Sequence, residues 1–318
     1  MGNTLHVSYF NYENGGVLNP EAGPNGPFRY DFNGLVRVVG ANNEWPDILM
    51  MGEGYCYHLE QGKVAKEAAI TLQRASKKPY FPFIGALPGN WSVAPPVMFV
   101  NTATIKIIRW HHPSDADFAW SKYNLLEVVH KETKQPFHAI VIHGYTDDGD
   151  KRLADAKMLR RYGDGERNYP CIVGGDWCAV PSGPMWEPQD LNDSSLYNKP
   201  SSRMIRAAWH HGPRQAGPYR ADTRSLDYLT GYYQPTEGNP WGRRVGGINF
   251  FDVAELMHDN TPTQLRAQTG RRHTQALAYD RFLVNKHWKD KVVKYQVCPP
   301  LNPHPSDHLK IDAFIKVR

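Results

Sequence analysis

The chain has 318 residues, 41% of them hydrophobic and 22% charged, with a formal charge of +5. That is enough apolar material for a large core, which argues against wholesale disorder, and no apolar run approaches the ~18 residues a membrane span needs. The positive balance suits an anionic partner but has no basic tail, and four cysteines without a CxxC pair argue against a disulfide scaffold or a structural zinc site.

The first residues, MGNTLHVSYFN, lack the apolar stretch of a signal peptide. His6 stands where a myristoylation signal at Gly2 wants Ser or Thr. The expectation is a cytoplasmic protein in reducing surroundings. Residues 5–11 alternate, with Leu5, Val7 and Tyr9 on one face of a predicted strand. A helical pattern over 34–43 precedes a continuous apolar run at 47–53, read as a buried strand. Residues 62–76 place Val64, Ala68 and Leu72 on one helical stripe. Strands are predicted at 104–110, 123–130, 137–145 and 171–177, with a helix over 151–163 between the last two. Segments RSLDYLTGYY and FFDVAELMHD read as shorter helices, and strands follow at 279–285, 291–297 and 310–317. Residues 181–247 are rich in Pro, Gly, Trp and Asn, and read as a loop-rich insertion with short helices inside one domain spanning 1–318. Two facing β-sheets with helices outside satisfy this order.

Polar residues gather at the strand ends. Asn11, Glu53, His143 and Asp176 close strands, Asp280 opens one, and Asp307-His308 precedes the last. A rigid scaffold presents reactive side chains at such places. A hard cation needs only one or two carboxylates and other oxygens, which Glu53, Asp307 and Asn11 would supply. Asp280 would orient His308, Asp176 would position or deprotonate a water, and His143 would donate to a phosphate oxygen. Singly, each residue has an ordinary reading as a turn, a helix cap or a structural histidine. A charged Glu53 between two glycines at the end of a buried strand does need a partner.

The ordered set of Asn11, PDILMMGEG, VIHGY, VGGDW, YDRFLVN and PSDHLKI resembles the endonuclease/exonuclease/phosphatase superfamily. The resemblance implies a four-layer α/β sandwich of two mixed sheets flanked by helices. It implies Mg²⁺ or Mn²⁺ as cofactor and hydrolysis of a phosphoester. Nucleic acid is then the expected partner, DNA ahead of RNA, and no membrane is involved. A small-molecule or lipid substrate is the alternative. By the same resemblance Glu53, Asn11 and Asp307 are the metal-binding residues, and Asp176 is the water-positioning one. His308 with Asp280 forms the His–Asp pair, and His143 is a phosphate contact. One position departs: where the family carries Asn after G-D-[FW], this chain reads Gly175-Asp176-Trp177-Cys178. A thiol is a weak donor and acceptor. Three readings are open: a slowed enzyme, a softer metal, or a binding protein that has lost catalysis.

Aromatic and basic residues mark an expected substrate rim. Trp110-His111-His112 makes His111 a substrate-contact residue, and Arg271-Arg272-His273 adds Arg271 and Arg272 as phosphate-backbone contacts. Trp209-His210-His211 reads instead as packed loop histidines, and Asp147-Asp148-Gly149-Asp150 as a turn leading into a helix.

Overall fold

The computed structural model describes residues 3–19, 29–84, 95–111, 123–146, 148–164, 169–187, 221–265 and 277–318. Two six-stranded mixed sheets face each other, with helices on their outer faces. The first sheet takes β1 (Thr4–Asn11), β2 (Ile48–Gly52), β3 (Tyr80–Ile84), β4 (Val97–Asn101), β13 (Val292–Val297) and β14 (Ile311–Lys316). Their order is β13-β14-β1-β2-β4-β3. The second takes β5 (Ile105–His111), β6 (Tyr123–His130), β7 (Pro136–His143), β8 (Cys171–Asp176), β11 (Phe250–Asp252) and β12 (Asp280–Asn285). Their order is β11-β12-β8-β7-β6-β5.

Burial on both faces explains the apolar runs. Strand β2 sends Ile48 and Met50 into the core between the sheets, and Leu49 and Met51 under the outer helices. Strand β1 alternates as its pattern requires, with Leu5, Val7 and Tyr9 facing the second sheet. Each fully buried Val, Leu or Ile contributes about 1.5–3 kcal/mol. Helices α1 (Phe32–Val39) and α2 (Leu59–Ser76) cover the first sheet with Leu35, Val38, Val64, Ala68 and Leu72. Asp31 caps α1 by accepting from the Gly34 N–H. Helices α3 (Gly149–Met158), α4 (Arg160–Gly163) and α5 (Arg224–Thr230) cover the second with Ala156, Leu159, Tyr162 and Leu226.

Several sequence expectations are corrected. The helix expected over 151–163 breaks at Leu159 into α3 and α4, and Asp148 caps α3 through the Asp150 and Lys151 N–H groups. RSLDYLTGYY is helical only to Thr230, because Gly231 turns the chain with φ 94°. Its last two tyrosines, Tyr232 and Tyr233, begin β9 (Tyr232–Thr236), which pairs with β10 (Asn239–Val245), so the region read as loops and short helices contains a β-hairpin. FFDVAELMHD opens as β11 and is helical only over α6 (Val253–Leu256), where Asp252 accepts from the Ala254 and Glu255 N–H groups. Strands β3 and β4 were not expected. No described helix is long and apolar enough to cross a membrane.

Parallel pairing fixes where the strand ends meet. Strands β1 and β2 run parallel with Asn11 opposite Gly52, and β7 and β8 run parallel with His143 opposite Asp176. Strand β12 starts antiparallel beside β8, so Asp280 lies opposite Asp176. The loop before β14 enters at the same edge, where Ser306 Oγ donates to the Asn11 carbonyl at 2.7 Å.

A second polar group is buried within the first sheet. Register places Ser8, Asp312 and Gln296 side by side on β1, β14 and β13. The Asp312 carboxylate accepts from Ser8, from Gln296 at 2.9 Å, and from the buried Lys310 ammonium at 2.8 and 3.0 Å. His6 Nε2 lies 3.1 Å from it.

Candidate active site

The two parallel pairs, strand β12 and the loop before β14 bring Asn11, Glu53, His143, Asp176, Cys178, Asp280 and His308 together. Glu53 follows β2 in the left-handed region, φ 53° and ψ 32°. That conformation costs a non-glycine residue about 1–2 kcal/mol. It turns the carboxylate back onto the Asn14 N–H at 2.7 Å and the Asn11 Nδ2 at 3.4 Å. Asn11 Nδ2 also donates to Asp176 Oδ2 at 3.2 Å, so one amide ties the two sheets together. Asp176 Oδ1 accepts from the Cys178 N–H at 2.8 Å, with Cys178 held at φ 46°. His308 Nδ1 lies 2.7 Å from Asp280 Oδ2, and its Nε2 lies 3.9 Å from Asp176 Oδ2.

Burial sets the charges. Burial lifts the Glu53 carboxyl to about 6, against the Asn14 N–H and His308, while Asp307 and Asp176 repel its charge. Burial also opposes charge on His308, but Asp280 outweighs it and raises the imidazole pKa well above its usual range. Asp280 thus favours the protonated ring. Burial would raise Asp176, but His308, His143 and the Cys178 N–H and thiol hold it below the usual carboxylate range.

The cluster offers donor groups that could hold a cation. Asn11 Oδ1 is buried without a hydrogen-bond partner. It sits beside a carboxylate, Glu53, that two neighbouring carboxylates repel. His143, Asp176 and Cys178, and separately Asp176, Asp280 and His308, are groups that could hold a metal. Asp307 lies beside His308, and its backbone oxygen accepts from the Leu265 N–H at 2.7 Å.

Gly52 forms the floor. A Cβ there would lie 2.5 Å from Tyr9 Oη, 3.0 Å from Asn11 Oδ1 and 3.2 Å from His143 Nδ1. Gly52→Ala is expected to displace Asn11 and His143 and lower turnover by on the order of 10²-fold, with the far-ultraviolet circular dichroism unchanged. Wild-type turnover in this variant would show that the three groups need not converge.

The structure keeps His111 apart from this cluster. Pairing places it level with Leu125, Ile140 and Val173, at the outer edge strand of the second sheet. Arg271 and Arg272 lie outside the described residues, as do His112 and Trp209-His210-His211. Sequence reasoning gave no site role to Tyr9, Ser306, Thr263 and Gln264. Thr263 Oγ1 accepts from the Asp280 N–H at 3.0 Å, and Gln264 bridges to His308 through the backbone. Tyr9 was hidden by its own alternation, which reads as core. The other three sit in loops without a periodic signal.

Two facing mixed sheets, helices outside and polar strand ends at one edge define the endonuclease/exonuclease/phosphatase fold, and this chain has it. An endonuclease/exonuclease/phosphatase from Bacteroides vulgatus is similar over 99% of both chains, at 13% identity and a TM-score of 0.57. D. rerio TDP2 complexed with single-strand DNA product matches over 98% of both chains, at 12% identity and a TM-score of 0.55. The Bacteroides thetaiotaomicron mannosyl-6-phosphatase covers 97% of this chain and 98% of its own, at 13% identity and a TM-score of 0.53. No family model matches the sequence, and no curated protein matches it.

Proposed function

We propose that the protein is a divalent-metal-dependent phosphoesterase, a nuclease that hydrolyses phosphodiester bonds of DNA or RNA by attack of an activated water. The observation that carries this reading is the convergence of Asn11, Glu53, Asp176 and the Asp280–His308 pair at one edge of two sheets. Glu53, Asn11 and Asp307 would hold Mg²⁺ or Mn²⁺, which when bound polarises a phosphate and neutralises developing charge. Asp176, held charged, orients the attacking water. His308, held protonated by Asp280, donates to a phosphoryl oxygen as charge grows there. His143 contacts a second non-bridging oxygen.

The likeness to a TDP2 complexed with single-strand DNA product favours nucleic acid. The likeness to a mannosyl-6-phosphatase supports a second reading, a phosphatase or phosphodiesterase acting on a small molecule or lipid. A panel of plasmid, linear DNA, RNA and a chromogenic phosphodiester, with Mg²⁺, Mn²⁺ or chelator, tests both. Metal-dependent cleavage of nucleic acid, with binding that weakens steeply as salt rises, is the expected result. Salt-independent binding points to the small substrate. Glu53→Gln should abolish the metal response. A wild type inert in every arm would instead favour the reading of a binding protein that has lost catalysis.

Cys178 modulates rather than abolishes the chemistry in this reading. Asn supplies an amide that a thiol does not, and tolerates the left-handed backbone found there better than Cys does. Cys178→Asn is expected to raise metal-dependent turnover, by up to the ~10²-fold that one positioned donor is worth. A flat or lower rate would remove the slowed-enzyme reading.

A further inference from the structure

Cys178 stands where no thiol is needed for hydrolysis, and its surroundings are those of a ligand. It holds a left-handed conformation at φ 46°, a strain that usually persists where function requires it. Its N–H is tied to Asp176 at 2.8 Å, which fixes the thiol beside that carboxylate. His143 enters from the end of the neighbouring strand, directly opposite Asp176. One ligand atom from each of His143, Asp176 and Cys178 lies within 4.8 Å of the others. Zinc bonds of about 2.0–2.3 Å place tetrahedral ligand atoms about 3.3–3.8 Å apart, so a small inward movement would seat the ion.

We propose that His143, Asp176 and Cys178 form a site for a thiophilic divalent cation of the zinc class, and that its occupancy silences the hydrolytic arrangement. Sulfur, imidazole nitrogen and carboxylate oxygen are the donors zinc takes, whereas magnesium takes oxygen alone. The fourth position is left for water or a phosphate oxygen. Binding displaces the thiol proton to solvent and forms a metal–sulfur bond. The cation removes Asp176 from water positioning and His143 from phosphate contact, while Glu53 and Asp307 stay outside its coordination. The second group, Asp176, Asp280 and His308, offers no sulfur, and His308 Nδ1 is already engaged by Asp280 at 2.7 Å. The silencing rests on the phosphoesterase reading; the binding does not.

Cobalt is the probe, because a cobalt–thiolate bond gives a near-ultraviolet charge-transfer band that oxygen and nitrogen ligands do not. The full chain titrated with Co²⁺ should develop this band at one equivalent. Cys178→Ser and Cys178→Ala should lack it, Glu53→Gln should keep it, and His143→Ala should weaken Co²⁺ binding at least about tenfold. Thermal melts of each variant separate lost ligation from lost folding. No band in the wild type, or an equal band in folded Cys178→Ser, overturns the site. Cys56, Cys171 and Cys298 are buried and serve as internal controls. With Mg²⁺ in excess, one equivalent of Zn²⁺ should inhibit the wild type and leave the residual rate of Cys178→Ser unchanged. Zinc that gives full occupancy without inhibition overturns the silencing. If no substrate is hydrolysed under any condition, the phosphoesterase reading fails, and the cobalt band still decides the site.

Discussion

His308→Ala is expected to lower metal-dependent turnover by about 10²–10⁴-fold, the range of a positioned proton donor. The imidazole is buried, clasped by Asp280 at 2.7 Å, with its other nitrogen directed toward Asp176 3.9 Å away. KM should change much less than kcat, because the donor acts on charge that grows as the bond breaks. Asp280→Asn should show an intermediate loss, since it leaves the ring in place and removes the charge that keeps it protonated. Steady-state kinetics at saturating metal, with thermal melts as the folding control, measure both. A loss below about tenfold in His308→Ala would take this residue out of the chemistry.

Asp312→Asn is expected to destabilise the fold by about 3–5 kcal/mol, read from urea denaturation, without altering the site. Lys310 is 1% exposed and Asp312 is fully buried, so the change leaves an ammonium buried without its counter-charge. Burial by itself would raise the Asp312 carboxyl. His6 and Lys310 instead hold it well below the usual carboxylate range. A group with a lowered folded pKa binds protons more readily in the unfolded chain, so its stabilisation is complete above the ordinary carboxylate range and is lost as pH falls. The wild-type melting temperature should therefore drop on acidification more steeply than that of Asp312→Asn. Parallel acid dependence in the two proteins would mean that Asp312 does not set it.

Two strands buried on both faces, β2 and β8, are plain in the sequence, whereas β4, buried just as fully, was not expected. ILMMG and CIVGG have no polar position to confuse their reading, and they lead into the site. Strand β3 was not expected because Pro82 interrupts it; a proline is tolerated there because β3 is an edge strand. Strands β9 and β10 carry Pro235, Pro240 and Gly242 and are largely exposed, so neither burial nor alternation marks them. The reactive residues are legible because short motifs end apolar runs. The clasp around Asp312 is not, because cross-strand register brings Gln296, Asp312 and Ser8 together from separations no local pattern records. Likewise the buried Arg281–Asp252 ion pair looks in sequence like two ordinary surface charges.

One of the two neighbours of β1 is β14, paired from Thr4–Lys316 to Tyr9–Ile311. A nascent chain would therefore emerge with β1 lacking that partner until β14 had been translated. Contacts so distant in sequence make closure slow, and a waiting β-edge is an invitation to wrong pairing. The same closure carries in His308, just ahead of β14, so the reactive centre is complete only once β14 has docked on β1. Molecules without that pairing would hold Glu53 and Asp176 but not the His308 ring, and would be inert until β1 and β14 meet.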